Sequence, residues 1–251
     1  MKEATLRQIL VVTDGCSNSG LSPVAAATLA REQGITVNVI GVIEKGDMGE
    51  QGTKEIREMA EAGGGLFDIV FPQQLAQTVQ MLTRQAMTRT IHQVVSKELK
   101  EILGDSAMEG LAPEKRVQVA GMVDELGENS RLDVVMLVDS SGSMKPKLSA
   151  VQQAIHDFSI SLRSRRGKSR MAVCSFPGKQ THLDVRIPWT EEVEQAHQLS
   201  SDLQMSGITP TGPAIVEAIA LFDHVRLPAN LQDRYGYDEK EDRGDLRDHV
   251  F

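Results

Sequence analysis

Cysteine is scarce: Cys16 and Cys174 are the only two in 251 residues. A single pair is too few for a disulfide framework and neither cysteine sits in a zinc spacing, so a reducing compartment fits best. Positive charge is scarce as well. A net charge of −8 argues against a general nucleic-acid binder, which needs basic surface to neutralise phosphates. No apolar run is long enough to span a bilayer, and the first seven residues, Met1 to Arg7, are polar and lack the apolar centre of a secretory leader. The expectation is a cytoplasmic protein with no membrane or nucleic-acid partner. The glycine-rich stretch Gly46 to Gly52 has no G-K-[ST] ending and so is not a phosphate-binding P-loop. No G-x-S-x-G elbow for serine catalysis occurs, and the six histidines are scattered outside any ligand motif.

What is present is ample apolar material, 40% of the chain, enough for a packed core in one domain with an appended tail. The apolar segments alternate in kind. Ile9 to Val12 is a buried strand ending in Thr13-Asp14-Gly15, and Ser22-Pro23 opens a helix that runs from Val24 to Gln33 and stops at Gly34. Ile35 to Ile43 is a second strand, Thr53 to Ala62 a helix stopped by Gly63-Gly64-Gly65, and Leu66 to Phe71 a strand ended by Pro72. From Gln73 to Leu103, residues Leu75, Val79, Leu82, Ala86, Ile91, Val94, Val95, Leu99 and Ile102 recur at helical spacing as a core-facing stripe. Such alternation predicts an α/β fold, a mostly parallel sheet with helices on both faces.

Glycines and Pro113 punctuate residues 104–130, which read as a connector holding a short helix from Glu114 to Leu126. Leu148, Val151, Ile155, Phe158 and Leu162 then form one helical face. Arg163, Arg165, Arg166, Lys168 and Arg170 follow at its end, where cations complement the helix dipole and stay solvated. Met171 to Phe176 and Leu183 to Ile187 are joined by too few residues for a parallel crossover, so they form an antiparallel hairpin at the sheet edge. Thr190 caps a helix running to Leu203, and another helix carries Ile215, Ala218, Ile219 and Phe222. Residues 228–251 are charged and aperiodic, the pattern of a disordered tail.

The chemistry concentrates where one strand stops. Val134 to Val138 is an unbroken apolar run, as expected of a strand buried on both faces, and it ends in Asp139-Ser140-Ser141-Gly142-Ser143. Carboxyl ends of central strands open into the crevice where α/β proteins bind ligands, so Asp139, Ser141 and Ser143 stand at that edge. A loop wrapping a cation turns alternate side chains inward, and a carboxylate with two hydroxyls suits magnesium or manganese better than zinc. Alone, the pattern equally suits a loop in which Ser143 caps the next helix. Asp14 equally suits an Asp-Gly turn, and Thr209, before Pro210, suits a helix cap.

Taken together, Asp139-Ser140-Ser141-Gly142-Ser143, Gly207-Ile208-Thr209-Pro210 and Thr13-Asp14-Gly15 resemble the three motifs of the von Willebrand factor type A domain with its metal-ion-dependent adhesion site. The resemblance covers residues 6–103 and 131–225, but the order departs from the family, because the aspartate of the last motif comes first. Placing Leu6 after the segment that ends at Leu227 restores one uninterrupted domain. The resemblance therefore implies a circularly permuted, Rossmann-like six-stranded fold over residues 1–227. Residues 6–103 are then the family's C-terminal half, 104–130 join its ordinary ends, and 131–227 are its N-terminal half. The implied strand order runs through Leu183, Met171, Val134, Ile9, Thr36 and Phe67. Two other arrangements stay open: a dimer swapped through the connector, and halves of two incomplete domains.

By the same resemblance, Ser141, Ser143 and Thr209 coordinate Mg2+, with Mn2+ or Ca2+ as substitutes, while Asp139 and Asp14 act directly or through water. The remaining position takes an Asp or Glu carboxylate from a protein partner, an ATPase or a kinase being the implied kind. Two further functions stay open. One is a magnesium-dependent hydrolase or phosphatase in the same crevice, disfavoured because an aspartyl-phosphate enzyme wants aspartate where Ser141 stands. The other is a scaffold with a structural metal.

Overall fold

Both faces of every central strand must be covered if the strands are apolar throughout, and the computed structural model meets that demand with helices on each side. It describes residues 5–44, 48–103, 113–191, 209–223, 225 and 227. Six strands form one sheet: β1 (Thr5–Thr13), β2 (Ile35–Val42), β3 (Gly64–Val70), β4 (Arg131–Asp139), β5 (Ser169–Phe176) and β6 (Asp184–Thr190). Their order is β3-β2-β1-β4-β5-β6, as the sequence implied. All neighbours are parallel except the β5/β6 pair at the edge.

Alternate residues of β4 divide between two cores. Val135 and Leu137 join Ile9, Val11, Val37 and Val39 under α1 (Pro23–Glu32), α2 (Gly49–Ala62) and α6 (Thr211–Ala220). Val134, Met136 and Val138 join Leu10, Val12 and Ile40 under α3 (Leu75–Leu103) and α5 (Leu148–Arg163). The α5 stripe of Val151, Ile155, Phe158 and Leu162 is buried as its spacing predicted. Among the described residues no helix is long and apolar enough to cross a membrane.

Several boundaries differ from the sequence reading. The α3 stripe is buried from Leu75 to Ile91, but Val94 is 57% exposed; α3 also packs against α4 (Pro113–Asn129). That helix is longer than the expected 114–126 segment and passes through Gly121 and Gly127 without breaking. Gly127 sits against Ile91 of α3, and its carbonyl accepts a bond from Arg165, so tertiary contacts offset the roughly 1 kcal/mol that glycine costs in a helix. Helix α2 begins at Gly49, inside the glycine-rich stretch and ahead of the expected start at Thr53. Gly64 and Gly65 belong to β3 rather than to a helix stop. A Cβ on Gly65 would lie 2.1 Å from the Val37 carbonyl oxygen, so only glycine lets β3 approach β2 so closely.

Two of the five clustered cations are not the solvated residues expected. Arg165 donates to the carbonyls of Gly127 (2.6 Å) and Ser130 (3.0 Å), fastening the end of α4 to the turn before β5. Arg170 donates to buried Asp133 (2.9 Å) and lies 4.4 Å over the Trp189 ring. Thr190 is the last residue of β6. The helix expected to follow it and the tail 228–251 lie outside the described residues.

A buried amide ladder fixes the register of the three strands on one side of the sheet. Gln8 donates to the Thr83 carbonyl at 3.3 Å, Asn38 Nδ2 donates to Gln8 Oε1 at 3.0 Å, and the Leu66 amide donates to Asn38 Oδ1 at 3.0 Å. Each buried polar atom here depends on its neighbour for a partner. Asn38→Leu strands both Gln8 Oε1 and the Leu66 amide and is expected to lower stability by about 3 kcal/mol, read as a reduced urea midpoint at unchanged m-value.

Candidate metal site

The topology places the ends of β1 and β4 side by side. Val12 pairs with Val138, so the next residues, Thr13-Asp14 and Asp139, leave the sheet together. Asp139 is fully buried. Its Oδ1 accepts the Ser141 amide at 2.8 Å, and its Oδ2 accepts the Thr13 hydroxyl at 2.7 Å. The Ser141 and Ser143 hydroxyls are 3.1 Å apart, and Ser143 donates to Asp14 Oδ1 at 2.7 Å. Four of the five residues singled out from the sequence thus stand in one continuous hydrogen-bonded chain, drawn from segments 125 residues apart in number (139 − 14).

Intervening residues face elsewhere, as the alternation of the loop required. The Ser140 amide and hydroxyl both donate to the Phe176 carbonyl, at 2.7 and 3.0 Å, which pins the loop to β5. A short 3-10 helix, Gly142–Lys147, leads into α5, and no side-chain cap bond is made at its start. Ser143 therefore spends its hydroxyl on Asp14 and not on capping.

The fifth residue, Thr209, is brought in by its backbone. Its carbonyl accepts the Asn18 amide (3.2 Å) and the Ser17 hydroxyl (3.1 Å), while its own amide donates to Asn18 Oδ1 at 2.8 Å. Asn18 stands four residues beyond Asp14, so the loop that carries the acid also grips the threonine. Glycine makes this approach possible: a Cβ on Gly212 would lie 1.9 Å from the Leu21 carbonyl oxygen. Pro210, not Thr209, occupies the N-cap position of α6, and no side-chain cap bond forms there.

Three contributors are not among the five residues singled out from the sequence. Asn18 and Thr13 are ordinary loop and strand residues whose roles depend on partners far away in the chain. Lys147 is the third: its ammonium pairs with Asp14 Oδ2 and donates to the Ser143 carbonyl at 3.2 Å. Its position four residues after Ser143, one helical turn on, was the available signal.

Burial raises the pKa of Asp139; bonds from Thr13 and Ser141 partly oppose that shift, and the nearby Asp14 charge adds to it. Cys16 is also raised, by burial and then by the Glu55 charge, and Glu55 itself accepts the Ser17 amide at 2.7 Å. Cys174 is fully buried in the sheet with its thiol pushed up to about 12, so it stays inert.

Among the described residues no group of three His, Cys, Asp or Glu side chains converges as a metal cluster. The donor set here is different: two carboxylates and hydroxyls, all hard oxygens, which fits magnesium or manganese and not zinc. A desolvated carboxylate such as Asp139 also gains a partner from any cation that arrives.

Comparison with known proteins agrees with the fold. The von Willebrand factor type A domain pattern matches residues 134–235. The uncharacterized protein YabS of Bacillus subtilis is 49% identical over 227 residues, covering 90% of this chain and 93% of its own. The chain belongs to the von Willebrand factor type A family. A crystal structure of an uncharacterized protein from Alicyclobacillus acidocaldarius superposes with a TM-score of 0.81 at 43% identity, covering 86% of this chain and 93% of that one. The matched family segment begins inside β4, so β1, β2 and β3 precede it in sequence while standing beside it in the sheet.

Two outcomes follow from this geometry. The folded pKa of Asp139 lies above its unfolded value, so its contribution to stability falls as pH rises through the carboxylate range and is least when the group is ionised. Thr13→Val removes a bond that favours the anion and is expected to raise that pKa further, followed by carbon-detected NMR titration of the carboxyl. Asn18→Ala removes the acceptor for the Thr209 amide, which is expected to exchange with solvent about tenfold faster in native-state hydrogen exchange.

Proposed function

We propose that this protein is a divalent-metal-dependent protein-binding module, in which Asp139, Ser141, Ser143, Thr209 and Asp14 hold Mg2+ and the ion captures an acidic side chain of a partner. The observation that carries this reading is the hydrogen-bonded chain from Asp139 through Ser141 and Ser143 to Asp14, at the carboxyl ends of two adjacent central strands. Family membership supports it, as does a donor set of hard oxygens. Magnesium holds octahedral geometry and gives up its waters reluctantly, so a site with few anionic protein ligands keeps room for an incoming carboxylate. When bound, the ion supplies a concentrated positive charge. The residues of this chain orient it and exclude water from its inner side.

We further infer that the domain is circularly permuted, with β1 occupying the family's fourth-strand position. The sheet order and the start of the family match at Val134 support this. The β1/β4 ladder within one chain supports the reading in which both halves of the site come from the same molecule.

Asp139→Ala is expected to abolish Mn2+ binding in calorimetric titration and to lose every partner that the native protein retains only with Mg2+ in an affinity capture. Retention of both would remove the site from consideration. Magnesium-dependent phosphatase turnover that disappears in Asp139→Ala would replace the binding reading with an enzymatic one.

A further inference from the structure

Lys147 is a charged residue where the chain has every opportunity to keep charge in water. Its side chain is 8% exposed and that of its partner Asp14 is 2% exposed. Removing two ions from water is costly, and the pair persists because each neutralises the other and finds further bonds. Those bonds are present: Asp14 accepts from Ser143, and Lys147 donates to the Ser143 carbonyl. Lys145, two residues earlier on the same 3-10 turn, is exposed, so the burial of Lys147 is specific to its position.

The ammonium therefore occupies one carboxylate oxygen of a residue in the metal-ligating set. We propose that Lys147 is the resident cation of the metal-free site, and that a divalent ion binds by competing with it for Asp14. This rests on the metal-binding reading above and deepens it by naming what sets the affinity and the charge of the site. Without metal, two carboxylates and one ammonium leave the pocket with one net negative charge, which repels an acidic partner. With a divalent ion added, and the lysine released from Asp14 but still tethered beside it, the pocket carries one net positive charge. Capture of a carboxylate is thereby made conditional on metal, and the lysine keeps the loops of Asp14 and Ser143 assembled in the meantime.

A nearby like charge shifts the affinity of an ionic site by roughly ten- to a thousand-fold. Lys147→Met, which keeps the length of the side chain and removes the charge, is expected to tighten Mn2+ binding by about tenfold or more, while Lys147→Arg stays close to the native affinity. Calorimetric titration of Mn2+ reads both, with Asp139→Ala alongside. If Asp139→Ala still binds Mn2+, the metal-site reading fails. If Asp139→Ala loses binding and Lys147→Met binds no more tightly than the native protein, the competition fails on its own. Should Lys147→Met not fold, the native protein supplies the answer through amine acylation followed by peptide mass spectrometry. Lys147 is expected to be protected without metal and to become reactive at saturating Mn2+, and continued protection overturns the proposal.

Discussion

The parallel ladder between β1 and β4 is the constraint on which the rest depends. Eight residues of each strand pair in register, from Thr5 with Arg131 to Val12 with Val138. Without that pairing the sheet is two separate three-stranded pieces, each with an apolar face and an unpaired edge. With it, the ladder delivers Thr13, Asp14 and Asp139 to one point. The register matters as much as the adjacency, since a slip of one residue would turn every side chain of β1 to the opposite core.

Around this junction the protein spends polar groups as fasteners. Arg165 ties the connector helix to the turn before β5, and the Gln8–Asn38–Leu66 ladder locks β1, β2 and β3 to one another and to α3. Glu217 on α6 accepts the amides of His182 and Leu183, both at 3.1 Å, and so holds the β5/β6 hairpin against that helix. On the site's side of the sheet, Asn18 and Ser17 grip Thr209. None of these bonds is worth much alone, because folding exchanges them for bonds to water, but a buried group left without its partner is costly. Specificity of arrangement, more than net stability, is what they contribute.

The site combines deep burial with incomplete charge balance. Asp139 is desolvated and held by neutral donors, Asp14 is neutralised by Lys147, and the two serines bridge them. These oxygen atoms are held in place by the strands and by Ser140's anchorage to β5.

Much of this was legible in the amino-acid sequence. Apolar runs with abrupt acidic endings gave the strands and their buried character, because a segment covered on both faces has no polar alternation to hide it. The short link between Phe176 and Leu183 fixed an antiparallel hairpin by length alone. Asp139, Ser141 and Ser143 stood out by their alternation at the end of a buried strand, and Thr209 and Asp14 joined them through the resemblance to the family's three motifs. The course of α4 through two glycines, the end of the α3 core stripe at Ile91, the internal roles of Arg165 and Arg170, and the placing of Lys147 against Asp14 were settled only in three dimensions. Propensity and periodicity are local quantities, whereas each of those features depends on a partner brought near by the fold. Residue types and spacing thus determined which groups could bind an ion, and tertiary structure decided which cation already stands among them, since a charge is held at low exposure only where its counter-charge has been delivered.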